Sequence, residues 1–149
     1  MKCCFLFGHH DCPFKIQSDI EKAVLRHYSE YGVRHFYVGN HGTFDSIASS
    51  AVKSIKRKYS DLFLYLLLPY HPAERAIETP EGFDGTFFPS LSGVPHKYAI
   101  IRANQYMIDS CDTVICYVNH IGNTKNLLEY ALRRKRIPLS LIENLADHS

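Results

Sequence analysis

The chain has 149 residues, 46% hydrophobic and 21% charged, with a net charge of +2 when its nine histidines are neutral. That is the size of one domain with a real core, read here as a single unit over residues 1–149. The bulk numbers exclude a membrane partner, because the apolar run Leu62–Pro69 is far shorter than a bilayer requires, and they give no electrostatic ground for nucleic acid.

Lys2–Phe7 is continuous and apolar, as expected for a strand covered on both faces. It stops at Gly8 and two histidines, so it reads as a buried strand rather than a signal peptide. Ser18 with Glu21 fits a capping box, and Ile16, Ile20, Val24, Tyr28 and Tyr31 form a helical stripe that Gly32 ends. Arg34–Val38 is the second strand. It runs into Gly39-Asn40-His41-Gly42-Thr43, after which Phe44, Ile47, Ala48, Ala51, Ile55 and Tyr59 mark a second helix. Asp61–Leu68 is the third strand. From Pro69 through Pro95 the chain carries five prolines, three glycines and the aromatics Tyr70, Phe83, Phe87 and Phe88; a connection this long reads as a lid or binding loop. Those rings could stack on a base or pin the loop to the surface. Lys97–Asp109 is a third helix, Thr113–Val118 a fourth strand, and a helix starts at Thr124 and ends in the basic run Arg133–Arg136, which complements the helix dipole. Ile137–Ile142 reads as a fifth strand, and Glu143–Ser149 as a frayed tail.

Strands alternating with helices imply an α/β fold: a three-layer, Rossmann-like parallel sheet with right-handed crossovers, expected in the order 3-2-1-4-5. All strand C-termini then share one edge, where ligands bind at the switch in strand order. Polar residues gather there. Strand one is followed by Gly8, His9, His10 and Asp11, and strand two by Gly39, Asn40, His41, Gly42 and Asp45. Strand three is followed by Tyr70, His71, Glu74 and Arg75, and strand four by Asn119, His120, Gly122, Asn123 and Thr124. Glycine turns opening onto helix starts hold phosphate, and Asp or Asn holds a ribose. A metal site would draw on His9, His10, Cys12, His41, His71 or His120, but no pair has a zinc-motif spacing, so no metal ligands are assigned. Five cysteines, an odd number without framework spacing, indicate reduced thiols and a cytoplasmic location. There is no nucleophile elbow, Walker A motif or G-x-G-x-x-G run.

Arg102 to Tyr117, Arg-Ala-Asn-Gln-Tyr-Met-Ile-Asp-Ser-Cys-Asp-Thr-Val-Ile-Cys-Tyr, resembles the R-x-N-x-x-M-I-D-x-S-D-x-x-I-A-x-Y stretch of YpsA-like proteins. These belong to the SLOG superfamily, with DprA and the LOG phosphoribohydrolases. Gly122-Asn123-Thr124-Lys125 resembles that group's G-G-T-K turn, Gly8-His9-His10 its G-H-R turn, and Gly39 to Asp45 its G-G-A-x-G-x-D turn. His10 stands where the arginine is expected, Asn40 and Asn123 where second glycines are, and Leu127 where the LOG enzymes carry glutamate. The resemblance implies a nucleotide or nucleotide derivative bound at the strand C-termini by Gly8, His9, His10, Gly39, Asn40, His41, Gly42, Thr43, Asp45, Arg102, Asn119, Gly122, Asn123 and Thr124. It implies binding or sensing first, with no cofactor and with a homo-oligomer as an open partner. The alternative is hydrolysis of a nucleotide's N-glycosidic bond, with Glu129 or Asp45 as the candidate catalytic base, and a histidine-rich metal-dependent hydrolase comes third.

Overall fold

The computed structural model describes residues 2–71, 73 and 77–148. Six parallel strands form one sheet: β1 (Lys2–Gly8), β2 (Val33–Val38), β3 (Phe63–Leu67), β4 (Gly85–Phe87), β5 (Thr113–Tyr117) and β6 (Ile142–Asn144). Their order is β4-β3-β2-β1-β5-β6. Four helices cover the sheet: α1 (Gln17–Tyr31), α2 (Thr43–Lys56), α3 (Ala99–Ser110) and α4 (Asn123–Arg134). The chain is therefore α/β and Rossmann-like, and no described helix is long and apolar enough to cross a membrane.

The period of a strand divides the core. Cys4 and Leu6 of β1 face the layer built with α1 and α2, where Ile20, Val24, Phe44, Ile47 and Ala51 are buried. Phe5 and Phe7, one residue out of phase, face the layer built with α3 and α4, among Ala103, Met107, Ile108, Leu127 and Ala131. On that second face β2 and β3 carry aromatic rings, with Leu67 of β3 the aliphatic among them. His35 stacks on Phe63 and Tyr65, and Tyr37 stacks on Tyr65.

The five central and flanking strands stand in the expected order, but two edges differ. A sixth strand, β4, lies inside the segment expected to be loop. It is too short to show a period, and Asp84 sets its pairing: its N–H donates to the Leu64 carbonyl at 2.7 Å while its carboxylate accepts from Leu64 N–H at 2.8 Å. At the other edge the strand expected at Ile137–Ile142 begins only at Ile142. Pro138 opens a 3-10 turn instead, with Leu141 N–H donating to its carbonyl at 2.8 Å. The tail is not frayed through Asn144: Glu143 and Asn144 pair with β5, and Leu145 is buried. The capping box at Ser18 is also absent. A 3-10 turn, Phe14–Ile16, feeds straight into α1, so Ser18 already lies inside the helix.

A buried polar chain fastens the β6 edge. His27, on the inner face of α1, meets Thr113 Oγ1 through Nδ1 at 2.9 Å and Glu143 through Nε2 at 3.1 Å, and Arg26 pairs with the same carboxylate. These partners hold the Glu143 carboxyl below its ordinary range, the His27 bond most of all.

Candidate functional site

The strand order reverses between β1 and β5, so the crevice that such sheets offer to ligands opens where Gly8–Pro13 and Val118–Gly122 leave the sheet. His9 ties these two loops together. Its ring is buried, and Nε2 accepts hydrogen bonds from the N–H groups of Asn119 (3.0 Å) and His120 (3.3 Å), while its backbone N–H donates to the Tyr117 carbonyl at 3.3 Å. An imidazole that accepts at Nε2 and is neutral holds its proton on Nδ1. Burial lowers the His9 pKa, as does the neighbouring His120, which keeps the ring in that form.

His120 lies flat on His9, ring centroids 3.5 Å apart and planes 10° apart. Its Nδ1 meets the Ile121 carbonyl at 3.1 Å and its Nε2 the Asp11 carboxylate at 3.2 Å. The carbonyl, then the carboxylate, raises the His120 pKa, and the same hydrogen bond to the carboxylate lowers that of Asp11. A neutral imidazole thus backs a readily protonated one. His9, Asp11 and His120 also place one donor atom each within 4.8 Å of the others. The ring of His9 is committed, however: Nε2 already serves two N–H groups, and Nδ1 carries the proton. His120 and Asp11 would be left as the only two ligands, which is too few for a structural or catalytic metal centre.

Two helix starts face this edge, and they share one conformation. Gly42, before α2, has φ 154° and ψ −172°, and Gly122, before α4, has φ 152° and ψ −172°. Only glycine enters that region without strain. Their surroundings differ. A Cβ on Gly42 would lie 2.7 Å from His10 Cγ and 2.9 Å from His10 Cα, whereas one on Gly122 would meet nothing within 4 Å. Thr43 N–H donates to the His10 carbonyl at 3.2 Å, while the equivalent Asn123 N–H has no protein acceptor among the described residues. The loop after β1 closes the α2 start, and the α4 start stands open. Asn40 and Asn123, which stand where second glycines are expected, do not adopt positive φ: among the described residues Lys135 is the only non-glycine that does.

Asp45, in the first turn of α2, folds back to accept from His41 N–H at 2.9 Å. The residue is partly exposed, but its carboxyl is enclosed, and burial pushes the pKa up to about 6 against the His41 bond and the charge of His10. Burial lowers the pKa of His41. Gly8 proves to be a packing residue, since a Cβ there would lie 2.5 Å from the Phe44 ring. Arg102 is exposed on α3, where its charge slightly opposes the rise that burial and Asp109 impose on the Tyr130 phenol pKa. Glu129 is exposed and pairs with Arg133 at 3.9 Å, about 9 Å along α4 from its first residue.

Sequence reasoning did not pair His120 with Asp11, because nothing in the spacing of residues 11 and 120 brings them together. It also missed the cavities. One of about 560 Å³ opens at the ends of β3 and β4 and is lined by Pro69, Tyr70, His71, Phe88, Ser90, Ser92 and His96, among others. Tyr70 stacks on His96 with centroids 4.3 Å apart, and His71 meets Phe88 edge-on. A second, of about 190 Å³, continues from it towards β2 and includes Asn40, His41, Leu66, Pro69 and Tyr70. The proline-rich segment after β3 is therefore a cavity wall. Glu74 and Arg75, grouped with this edge in the sequence, lie outside the described residues. A third cavity, of about 500 Å³, runs along α1 and β6 and touches none of these groups.

Searches against protein-family models and curated proteins find no match to this chain.

Proposed function

We propose that this protein binds a nucleotide or nucleotide derivative along the C-terminal edge of its sheet, as a binding or sensing domain of the SLOG, YpsA-like type. The observation that carries the reading is the open start of α4. Gly122 adopts a conformation reserved for glycine beside empty space, and the first-turn N–H groups that follow have the partial positive charge of a helix start. The switch point of the sheet supports the same place for a phosphate, with the His120 imidazole adjacent. The aromatic cavity supports a site for the base. Its described lining has no Lys, Arg, Asp or Glu, so it suits an uncharged planar ring rather than a phosphate. From β5 to β3 is three strand spacings, about 14 Å. A ligand reaching both places is therefore extended, of the pyrophosphate-bridged rather than the mononucleotide kind. The resemblance of residues 102–117 to YpsA-like proteins agrees with this.

A thermal-shift and calorimetric series with adenosine, AMP, ADP-ribose, NAD and cyclic dinucleotides tests the reading, since a ligand of the native state raises the melting temperature by mass action. Gly122→Val should remove binding of every phosphate-bearing probe while the protein stays folded, and Phe88→Ala should weaken every probe, adenosine included, since each carries a base. If no probe gives a shift, or if a phosphate-bearing probe binds Gly122→Val as it binds the wild type, the proposal fails.

One observation favours a second reading, hydrolysis of an N-glycosidic bond. A carboxyl pushed to about 6, as at Asp45, has the pKa of a general base. Release of free base from a bound nucleotide, lost in Asp45→Asn, would select it. Glu129 is a poorer base, paired with Arg133 and far along α4.

A further inference from the structure

At the N-terminal end of the sheet, opposite the ligand edge, β1 and β5 bring two cysteines together. Cys3 is the second residue of β1, and Cys111 stands between α3 and β5. Asp112 fixes their relation. Cys3 N–H donates to the Asp112 carboxylate at 2.9 Å, and Asp112 N–H donates to the Cys3 carbonyl at 2.9 Å. Arg136 holds the same corner by donating to the carbonyls of Ile108, at 2.9 Å, and Cys111. The Cys3 thiol reaches the Ser110 carbonyl at 3.9 Å, so the residues on both sides of Cys111 are bonded to Cys3, and both cysteines pack in the core layer beneath α3 and α4.

The pair is asymmetric. Cys3 is partly exposed, and Cys111 is buried. The neighbouring Cys111 thiol lowers the Cys3 pKa, helped by Arg136 and opposed by burial and the Asp112 carboxylate. The neighbouring Cys3 thiol, then burial, raises Cys111 well above the ordinary thiol value. A reachable sulfur that ionises readily therefore stands against a protonated one held in reserve, the arrangement found in peroxide-responsive thiols. The other three cysteines lack it: Cys4, Cys12 and Cys116 are buried with raised pKa values.

We propose that Cys3 and Cys111 are a redox-active dithiol that closes to a disulfide on reaction with a hydroperoxide. The Cys3 thiolate attacks the peroxide oxygen, the O–O bond breaks, and the departing alkoxide takes up a proton to leave as alcohol, or as water from hydrogen peroxide. Cys3 is then a sulfenic acid. The Cys111 sulfur attacks the Cys3 sulfur, the S–O bond breaks, and the hydroxyl leaves as water with the Cys111 proton. Two thiols and one hydroperoxide give one disulfide, one alcohol and one water.

The test treats the 149-residue chain with equimolar hydrogen peroxide, followed by alkylation and peptide mapping without reduction. The expected result is an intact mass lower by two hydrogens, one peptide pair joining residues 3 and 111, and reversal by a dithiol reductant. Cys111→Ala should leave a sulfenic acid on Cys3 that dimedone traps, and Cys3→Ser should leave the mass unchanged. An unchanged mass in the wild type, or a crosslink through Cys12 or Cys116, overturns the proposal. The wild-type map decides even if a cysteine variant does not fold.

Discussion

Replacing Asp45 by asparagine probes the start of α2 directly. The enclosed carboxyl has its pKa moved from 3.8 to about 6, and such a shift corresponds to about 3 kcal/mol. The folded-state pKa lies above the unfolded one. Between about pH 4 and 6 the native protein therefore holds a proton that the unfolded chain has released, and stability falls as pH rises through that window. Above it the full cost of a buried carboxylate is present. Asparagine keeps the oxygen that accepts from His41 N–H and removes the charge. The Asp45→Asn variant should match the wild type near pH 4 and exceed it near pH 7.5 by up to about 3 kcal/mol, or about 6–12 °C in melting temperature. The helix-start field favours the anion, so this value is an upper bound. Urea denaturation of both proteins across pH 4–8 measures the difference, which cancels the titration of every other group. A variant less stable than the wild type at pH 7.5, or a difference independent of pH, would refute an enclosed, destabilising carboxylate.

Gly8→Ala should destabilise the fold by about 1–3 kcal/mol, because its Cβ would lie 2.5 Å from the Phe44 ring in a filled layer. A denaturation midpoint equal to the wild type would show that Phe44 gives way freely. Thr113→Val removes one partner of the buried His27 ring at nearly constant volume, with an expected loss of about 1–3 kcal/mol by chemical denaturation; a neutral effect would mean the ring repartners. Glu143 has a depressed pKa in the folded state, so its stabilisation is present above about pH 4.5 and lost as pH falls through the lower folded value. Glu143→Gln should therefore be less stable than the wild type at neutral pH, and the gap should close in acid, as followed by melting curves.

The central strands were legible because Cys3–Phe7, Phe36–Val38, Leu62–Leu67 and Val114–Cys116 are apolar runs bounded by glycine, proline or polar turns. Alternation of these runs with helical stripes leaves few topologies, and the order of the interior strands followed. The edges were not legible, since β4 and β6 are three residues each and take their place from Asp84 and from Asn144. The latter's side chain accepts from Val118 N–H at 3.0 Å and donates to its carbonyl at 2.9 Å. At the site, sequence reading gathers glycines and histidines at one edge but assigns them all one role. Their roles separate only through contacts between distant residues: Gly8 packs on Phe44, Gly42 on His10, and His9 on the loop after β5, while the start of α4 at Gly122 stays open. No local spacing encodes that difference.

Using a side chain where a carbonyl would normally sit has its own consequence at His9. A carbonyl accepts at any pH of biological interest, but an imidazole accepts only while its Nε2 lone pair is free. Protonation would turn that atom into a donor aimed at two other donors, the N–H groups of Asn119 and His120. Acid would then loosen the strap that joins the first and fifth strands where they diverge, without disturbing either strand. The seam at the switch point is thus held by a bond that the proton concentration can undo.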